Sequence, residues 1–444
     1  MNEDLITAVD GLMPELRADL EDLIRIPSVS AAHFDAEQVQ RSAAKTAELL
    51  QKADFDGVRL LEVDGAHPAV FGERRGPEGA LTVLLYAHHD VQPPGDPDLW
   101  SAAPFEPMER DGRLFGRGSS DDKAGIVLHT GAVRAFGDDL PVNIKVFVEG
   151  EEETGSAHLG EFLTEYGELL ASDVIVIADS GNWRVGEPAL TTSLRGLVSV
   201  IVDVRTLEAG VHSGMFGGAV PDALTTLTRV LAMLHDADGN VAVPGLTTGK
   251  AADLDLTDDE LRSQAGMLDG VELIGEGSLP DRLWMKPAIS VLAIDAPPVD
   301  EAINQIVPNA RAKVSMRIAP GQDTDAAMSA LIAHLEGAPA WGAQVTVTPH
   351  ESGDAFSLTT EDPRVKAFRQ AFAEAWDHDV VEMGVGGSIP FVAAFSEAYP
   401  NAAILLTGVA DPTSRAHGPD ESLDLGDFRK GILGEAIALR NLAS

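Results

Sequence analysis

Four short apolar runs constrain the fold of this chain more than any other feature of its 444 residues. They are LTVLLYA (81–87), NIKVFV (143–148), DVIVIA (173–178) and NAAILLT (401–407). Each run is too short for a helix and apolar on both faces, which is typical of strands in a covered, mostly parallel sheet. Helical patterns lie between them, for example over 122–136 and 363–376. This alternation predicts an α/β fold built on a mostly parallel sheet.

The middle of the chain follows a different pattern. Strand-like and helix-like segments alternate there in the order 197–206, 220–236, 310–318, 324–337 and 343–350. Such an order predicts a small α+β domain inserted into the first domain. We therefore expect one domain over 1–190 and 353–444, an inserted domain over 191–352, and a surface insertion over 238–283.

The charge balance excludes several classes of partner and site. The chain has 71 acidic and 32 basic residues, a formal net charge of −39, and no cysteine. Nucleic acids and anionic membranes attract basic surfaces, so neither is an expected partner. Without cysteine there is no disulfide, thiol nucleophile or thiolate metal site. Because no stretch reaches the ~18 apolar residues of a membrane span and the acidic N-terminus lacks a secretory n-region, we expect a cytoplasmic protein.

Acidic residues and histidines follow each apolar run. His88, His89 and Asp90 follow the first run, Glu151, Glu152 and Glu153 the second, Asp179 the third, and a loop that reaches His417 the fourth. A fifth cluster places Asp121 and Asp122 at the start of the helix predicted over 122–136. Because open α/β sheets bind ligands at the carboxyl ends of their strands, we expect the clusters to converge at one edge of one sheet.

Such a convergence of carboxylates needs a cation. Like charges a few ångströms apart raise one another's pKa and oppose folding, and a divalent metal ion removes that cost. Imidazole nitrogen and carboxylate oxygen are ligands that zinc accepts, and manganese and cobalt are also compatible. Five ligands suit two metal ions better than one, with one carboxylate bridging them as in two-metal hydrolases. We therefore predict two divalent metal ions per chain, with zinc as the first choice.

The spacing of His88 and Asp90 suggests how one metal ligand is oriented. Residues two apart on an extended strand face the same side. Asp90 can then accept the proton of the second imidazole nitrogen of His88 and fix its tautomer. His89 is expected to point the other way. Taken alone, the pair also fits a solvent-exposed strand end, but the other acid-tipped strand ends favour a metal site.

The remaining clusters have structural alternatives as well. A run such as Glu151–Glu153 is usually a solvated turn, although one glutamate could bind metal while its neighbour acts as general base. Asp121 and Asp122 also suit the N-terminal end of a helix dipole, which could account for Asp122 completely. The preceding Gly-Arg-Gly is expected to form a tight turn that directs Asp121 inward. Asp179 could be an ordinary turn residue before Ser-Gly-Asn.

Eight segments in order along the chain resemble the M20 metallopeptidases, a group with carnosinase-like dipeptidases, aminoacylases and deacylases of N-acetyl and N-succinyl amino acids. They are AHHDVQP (87–93), GRGSSDDKAG (116–125), EGEEETGS (149–156), ADSGNW (178–183), VHSGMFGG (211–218), VPNARAKVSMRIAP (307–320), GGSIP (386–390) and AHGPDE (416–421). Together these segments are far more specific than any one alone. The resemblance implies a zinc-exopeptidase-like catalytic domain and a ferredoxin-like inserted domain that serves as lid and dimerisation surface.

The resemblance also implies a role for each residue of the clusters. His88, Asp121 and Asp179 would hold one metal ion. Asp121, Glu153 and His417 would hold the other, so that Asp121 bridges the two. Glu152 would be the general base and then the proton shuttle, and Asp90 would orient His88.

In the inserted domain, the resemblance implies roles that spacing alone does not indicate. His212 would reach the partner's active site in a homodimer and stabilise the oxyanion, and Arg317 would bind the substrate carboxylate. Gly387 and Ser388 would belong to the substrate pocket. Within the group, the segments DDK (121–123), EGEEETGS (149–156) and HSGMFGG (212–218) together favour a dipeptidase acting on dipeptides or similar small peptides. An N-acyl-amino-acid deacylase is the alternative, because Gly384-Val385 stands where many dipeptidases carry a charged pair. A non-catalytic protein of the same fold is disfavoured, since all five metal ligands and the base are present.

Overall fold

The computed structural model describes residues 2–338, 340–387 and 390–443. Its helices are α1 (Glu3–Ile24), α2 (Ala36–Lys52), α3 (Lys123–Arg134), α4 (Leu159–Leu170), α5 (Ser213–Phe216), α6 (Ala223–Ala232), α7 (Asp258–Ala265), α8 (Thr324–Glu336), α9 (Pro363–Trp376), α10 (Pro390–Ala398) and α11 (Leu425–Leu442). Its strands are β1 (Asp56–Leu61), β2 (Ala69–Arg74), β3 (Thr82–His88), β4 (Met108–Arg110), β5 (Arg113–Phe115), β6 (Asn143–Glu149), β7 (Val174–Ile177), β8 (Ala189–Leu194), β9 (Gly196–Arg205), β10 (Val211–His212), β11 (Ala288–Asp295), β12 (Gln305–Ile306), β13 (Asn309–Ile318), β14 (Gln344–Gly353), β15 (Phe356–Ser357), β16 (Val381–Val385), β17 (Ala403–Leu406) and β18 (Ser422–Asp424). Within this part of the chain, no helix is both long and apolar enough to cross a membrane.

The chain forms two compact units. Unit 1 comprises residues 2–192, 358–383 and 390–443, and unit 2 comprises residues 193–357 and 384–387. The sequence-based boundaries were 190/191 and 352/353, and they assigned the segment 384–387 to the first domain. The structure groups this segment with unit 2 because the N–H of Arg195 donates to the Val385 carbonyl, and the Arg195 guanidinium donates to the Gly386 carbonyl.

A large mixed sheet forms the centre of unit 1. Its strands lie in the order β1-β2-β6-β3-β7-β17-β8. The four strands β6, β3, β7 and β17 run parallel to one another, and they are the four apolar runs of the sequence. The flanking strands β1, β2 and β8 pair antiparallel. The predicted α/β fold with a mostly parallel sheet is therefore confirmed in this unit.

Helices cover the sheet because their apolar stripes are buried. Along α1, Leu5, Val9, Leu16, Leu20 and Leu23 recur at steps of three, four and seven and are fully buried. The helices α3, α9 and α11 contribute further buried residues to the same core. Loops follow the carboxyl ends of β3, β6, β7 and β17, and those loops carry the polar clusters.

The core of unit 2 is a four-stranded antiparallel sheet packed against the two helices α6 and α8. The chain order is β9-α6-β11-β13-α8-β14 and the sheet order is β11-β13-β9-β14, which is the ferredoxin-like arrangement. Alternate valines of β9, from Val198 to Val204, face a core that includes Leu227 of α6 and Leu331 of α8. The inserted α+β domain predicted from the sequence is confirmed, with β11 as a strand that the sequence analysis missed.

Candidate metal centre

The carboxyl ends of the four parallel strands bring five polar segments together in unit 1. His88 ends β3, Asp121 precedes α3, and Glu152 and Glu153 lie in a short 3₁₀ turn after β6. Asp179 follows β7 by two residues, and His417 lies in the loop after β17. The register places His88 beside Glu149, so the segments after β3 and β6 start side by side.

Asp121 lies between two histidines. Its Oδ1 is 3.1 Å from Nε2 of His88, and its Oδ2 is 3.0 Å from Nε2 of His417. Each oxygen of one carboxylate thus faces a different imidazole. This is the arrangement that a bridging carboxylate requires between two cations.

Further carboxylates flank each histidine. Oε2 of Glu153 is 3.1 Å from Nε2 of His417, while Oε2 of Glu152 and Oδ1 of Asp179 are each 3.9 Å from Nε2 of His88. Candidate ligand atoms of His88, Asp121 and Glu153 lie within 4.8 Å of one another, as do those of His88, Glu152 and Asp179. All five predicted metal ligands and the predicted base therefore meet in one cluster, and both Glu152 and Asp179 are near His88.

The protonation of the cluster reflects its density of charge. Burial and the negative charge of neighbours, Asp179 and Asp121 respectively, raise the pKa of Glu152 to about 9 and that of Asp179 to about 7. Hydrogen bonds to Asp121 and Glu153 raise the pKa of His417 to about 10. Burial opposes the charged form of His88, yet its contacts with Asp121 and Asp90 raise its pKa well above the usual value.

These shifts test whether divalent cations fit the site. Without metal ions, bound protons offset the repulsion among the converging carboxylates. Divalent cations between these carboxylates would offset the same repulsion. The donors are imidazole nitrogens and carboxylate oxygens only, which are the ligands of zinc, manganese and cobalt. The cluster therefore fits a pair of divalent metal ions.

Asp90 orients three residues of the centre. Its Oδ1 is 3.3 Å from Nδ1 of His88, as the sequence spacing predicts. Its two oxygens also accept the backbone N–H groups of Glu152 (3.2 Å) and Glu153 (3.1 Å). Asp90 is fully buried, so its carboxylate joins the end of β3 to the 3₁₀ turn after β6.

Gln92 and Asp122 are functional neighbours that the sequence analysis missed or left open. Gln92 donates its backbone N–H to Oε1 of Glu153 (3.1 Å) and its side-chain N–H to Oε2 (2.8 Å). Asp122 makes no helix-capping hydrogen bond with its side chain, is fully buried, and accepts the N–H of His88 at 3.3 Å. The interpretation of Asp122 as a helix-dipole residue is therefore incomplete, because its carboxylate supports a candidate ligand.

A buried ion pair also escaped the sequence analysis. Nη1 of Arg117 donates to Oε2 of Glu421 at 2.7 Å, and Nη2 donates to the carbonyl of Gly418 at 3.3 Å. Glu421 also accepts the N–H groups of Gly118, Ser120 and Asp121 at 2.9 to 3.1 Å. This pair joins the turn that carries Asp121 to the loop that carries His417. No sequence spacing reveals it, since Glu421 and Asp121 are 300 residues apart.

Two residues of the clusters point away from the centre. Nε2 of His89 is 2.9 Å from the carbonyl of Pro68, in agreement with the alternation expected along a strand. The carboxylate of Glu151 accepts the N–H groups of His67 and His158 and pairs with Nδ1 of His158 at 2.8 Å. Of the three consecutive glutamates, only Glu152 and Glu153 therefore face the histidines.

The remaining predicted site residues belong to unit 2. His212 is exposed, and its Nδ1 accepts the N–H of Gly214 at 3.0 Å. Arg317 is half-buried on β13, where its backbone pairs with Ala288 and Leu197. Gly387 has open space at the position of a Cβ, apart from one atom of Val385 at 4.0 Å. Ser388 lies outside the described residues.

Comparisons with known proteins agree on one family. The family model described as peptidase family M20/M25/M40 matches residues 84–439. A cysteinylglycine-S-conjugate dipeptidase of Corynebacterium striatum is 35% identical over 427 residues, which cover 94% of this chain and 93% of the relative. The Cys-Gly metallodipeptidase DUG1 of Saccharomyces cerevisiae is 27% identical, covering 97% of this chain and 96% of the relative. The crystal structure of human carnosine dipeptidase 1 is similar with a TM-score of 0.79 at 25% identity, over 99% of this chain and 98% of that one.

Proposed function

The chain belongs to peptidase family M20/M25/M40, within which it is a metal-dependent dipeptidase, and we propose that its metal centre is the cluster around Asp121. His88, Asp121 and Asp179 hold one divalent ion, and Asp121, Glu153 and His417 hold the other. The observation that carries this proposal is the position of Asp121, with one oxygen at hydrogen-bond distance from each histidine. Zinc is the proposed native metal, with manganese or cobalt as compatible alternatives.

Glu152 is the proposed general base. The carboxylate of Glu153 is fixed by two hydrogen bonds from Gln92, as suits a ligand, whereas no hydrogen bond within the described residues restrains that of Glu152. Bound divalent cations polarise the scissile carbonyl and make water easier to deprotonate. With the metal ions bound, the carboxyl group of Glu152 would be ionised and would accept the proton of the attacking water. The same carboxyl group then returns the proton to the leaving amine.

The proposed substrates are dipeptides with a free carboxylate. Arg317 supplies a cation for that carboxylate, and burial lowers the pKa of its guanidinium, which indicates a partly desolvated charge. A guanidinium binds a carboxylate most strongly when both are withdrawn from water. The name of the Corynebacterium striatum relative suggests cysteinylglycine with a substituted sulfur as the first dipeptide to assay.

A panel of substrates tests this function. Protein loaded with zinc or manganese is assayed for amine release from free dipeptides, including S-substituted cysteinylglycine, and from N-acetyl and N-succinyl amino acids. We expect turnover of the free dipeptides. Turnover of blocked amino acids alone would instead support a deacylase, and residues 384–387 would be the first place to look for the cause.

A homodimer through unit 2 is proposed as the active assembly. Leu292 of β11, an edge strand of its sheet, is 57% exposed, and Val299 and Ile303 beyond it are 91% and 75% exposed. Met215, beside His212 in sequence, is 76% exposed. Exposed apolar side chains at this density mark interaction surfaces, and a second copy of the chain is the proposed partner.

His212 is proposed to act on the active site of the partner subunit. Because its Nδ1 accepts the N–H of Gly214, its proton lies on Nε2, and this nitrogen is left to donate to an oxyanion. His212→Ala should therefore lower kcat by about 10²–10³-fold, the effect of losing one oxyanion donor.

Mixing two inactive variants tests whether His212 acts in trans. Dimers formed from His212→Ala and Glu152→Gln chains contain one site in which both residues are intact. Random reassortment should restore about a quarter of the wild-type activity, because half of the dimers carry one working site of two. A mixture as inactive as its parents, or a fully active monomer in sedimentation, would refute the role in trans.

A further inference from the structure

A cavity of about 360 Å³ lies entirely within unit 2. It is bounded by the turn 235–241, the segment 273–279, the single π-helical turn Asp281–Met285 and the start of β11. Its volume falls in the range of small-molecule sites. None of the residues proposed for dipeptide hydrolysis lines it.

The walls of the cavity are apolar and preformed. Side chains of Val241, Leu261, Leu273, Leu279 and Ile289 line it. Hydrogen bonds across the walls join separate segments, because Gly275 donates to the Asp238 carbonyl (2.8 Å) and Glu276 to Oδ1 of Asn240 (2.9 Å). A ligand would therefore meet an apolar surface that requires little rearrangement.

The charges at the cavity are opposite to those of the chain as a whole. Arg282, Lys286 and His235 line it and no aspartate or glutamate does, although acidic residues outnumber basic ones by 71 to 32 in the sequence. Within the described residues, neither Arg282 nor Lys286 lies within 4.0 Å of a carboxylate oxygen. The neighbouring Asp281 accepts the N–H of Ala251 at 2.8 Å and attracts Lys286 electrostatically, but it does not line the cavity.

Only some of the N–H donors of Arg282 have a hydrogen-bond acceptor in the described part of the chain. Its Nη1 donates to the carbonyls of Ile274 (3.0 Å) and Gly275 (3.3 Å). Its Nε is buried without a partner in the described part of the chain, and Nη2 makes no hydrogen bond there. A guanidinium beside an apolar cavity gains most from a carboxylate, which its planar group of donors matches.

We propose that this cavity binds a small amphipathic monocarboxylate, with an unbranched apolar body along the leucine-rich wall and its carboxylate on Arg282. The site is independent of the proposed hydrolysis. A neutral molecule would leave the guanidinium without a counter-charge, and a cation would be repelled by Arg282 and Lys286.

Calorimetric titration of the metal-free protein tests the proposal, because a carboxylate probe then has no metal ion to bind at the proposed metal centre. The probes are octanoate, 1-octanol and octylamine, which share a chain length and differ in charge. We expect octanoate to bind at one site per chain and at least ten-fold more tightly than the other two. Because the net charge of −39 favours the cationic probe at nonspecific sites, this preference would point to the cavity.

Three variants locate the binding site. Arg282→Gln removes the proposed anchor, and Thr248→Phe fills the cavity from an exposed loop position while the arginine is kept. Each should weaken octanoate binding at least ten-fold. Lys250→Gln removes a nearby charge that does not line the cavity and should leave binding unchanged. The proposal is overturned if octanoate does not bind, if octylamine binds equally well, or if Thr248→Phe binds like the wild type.

Discussion

In unit 1 most of the proposed metal ligands are buried or nearly so, with His417 as the exposed member of the set, whereas in unit 2 His212 is exposed among exposed apolar residues. His88 is fully buried, the side chain of Glu153 is 3% exposed, and both are fixed by Asp90. His212 has one local hydrogen bond, from Gly214. The difference indicates that unit 1 contains the complete set of proposed metal ligands, while unit 2 carries groups whose proposed task involves a second molecule.

The largest effect on turnover is expected from replacing Glu152, the proposed general base in unit 1. Glu152→Gln keeps the size of the side chain but cannot accept a proton, so kcat should fall by about 10²–10⁴-fold while the bound metal is retained. Glu151→Gln is the matched control, because the Glu151 carboxylate faces His158 and should matter little for turnover. Steady-state kinetics with metal analysis would contradict the assignment if Glu152→Gln kept both its metal and wild-type turnover.

A smaller effect is expected from the buried pair that supports the centre. Glu421→Gln replaces an acceptor of three backbone N–H groups, including that of Asp121, by an amide. Metal affinity should fall by roughly 10–100-fold, as for other partners of metal ligands. Competition with a chromophoric chelator measures this change.

The control for that experiment lies in the same loop as His417. Asp411 pairs with Arg113 at 2.8 Å, and no hydrogen bond or ion pair in the described part of the chain joins it to the turn that carries Asp121. Asp411→Asn should therefore leave metal affinity nearly unchanged, even where it lowers the melting temperature. If both variants lost metal affinity equally, Glu421 would stabilise the loop in general and would not specifically support the metal ligands.

The smallest effect is a pH dependence confined to unit 1. Groups whose pKa is raised by folding contribute stability at low pH that is lost as pH rises through the folded pKa. Asp179, Glu152 and His417 have pKa values raised to about 7, 9 and 10, so the metal-free protein should lose stability between pH 5 and 9. Bound metal replaces these protons and should remove most of the loss.

Thermal unfolding between pH 5 and pH 9 checks the direction of this change in stability. The gain in melting temperature on adding metal should grow by on the order of 5 °C from pH 5 to pH 9, given roughly 2–4 °C per kcal/mol for domains of such size. A gain that shrank with pH would mean that the raised pKa values do not describe the metal-free centre.

The sequence could predict the elements whose burial follows a simple period. The helix predicted over 363–376 coincides with α9, and all four apolar runs are strands. Strand β11 was missed because only Ile289 of its eight residues is buried, so its apolar residues show no alternation. An edge strand in an exposed apolar surface lacks the pattern by which strands are recognised.

The sequence could also predict which clusters meet at the metal centre, because strand ends place them together, whereas the choice of Glu152 and Glu153 over Glu151 came from the family resemblance. It could not predict Gln92, Arg117 or Glu421, whose contacts are with backbone groups or with residues far away in the chain. The roles of His212 and Arg317 rest on the family resemblance and stay predictions, as does the cytoplasmic location.

Anomalous diffraction from crystals of the metal-loaded protein tests the central claim most directly. The account predicts two peaks per chain, roughly 3.5–4 Å apart, with one oxygen of Asp121 bound to each. His88 and Asp179 should complete one site, and Glu153 and His417 the other. A single peak, or a pair of peaks that Asp121 does not bridge, would contradict it.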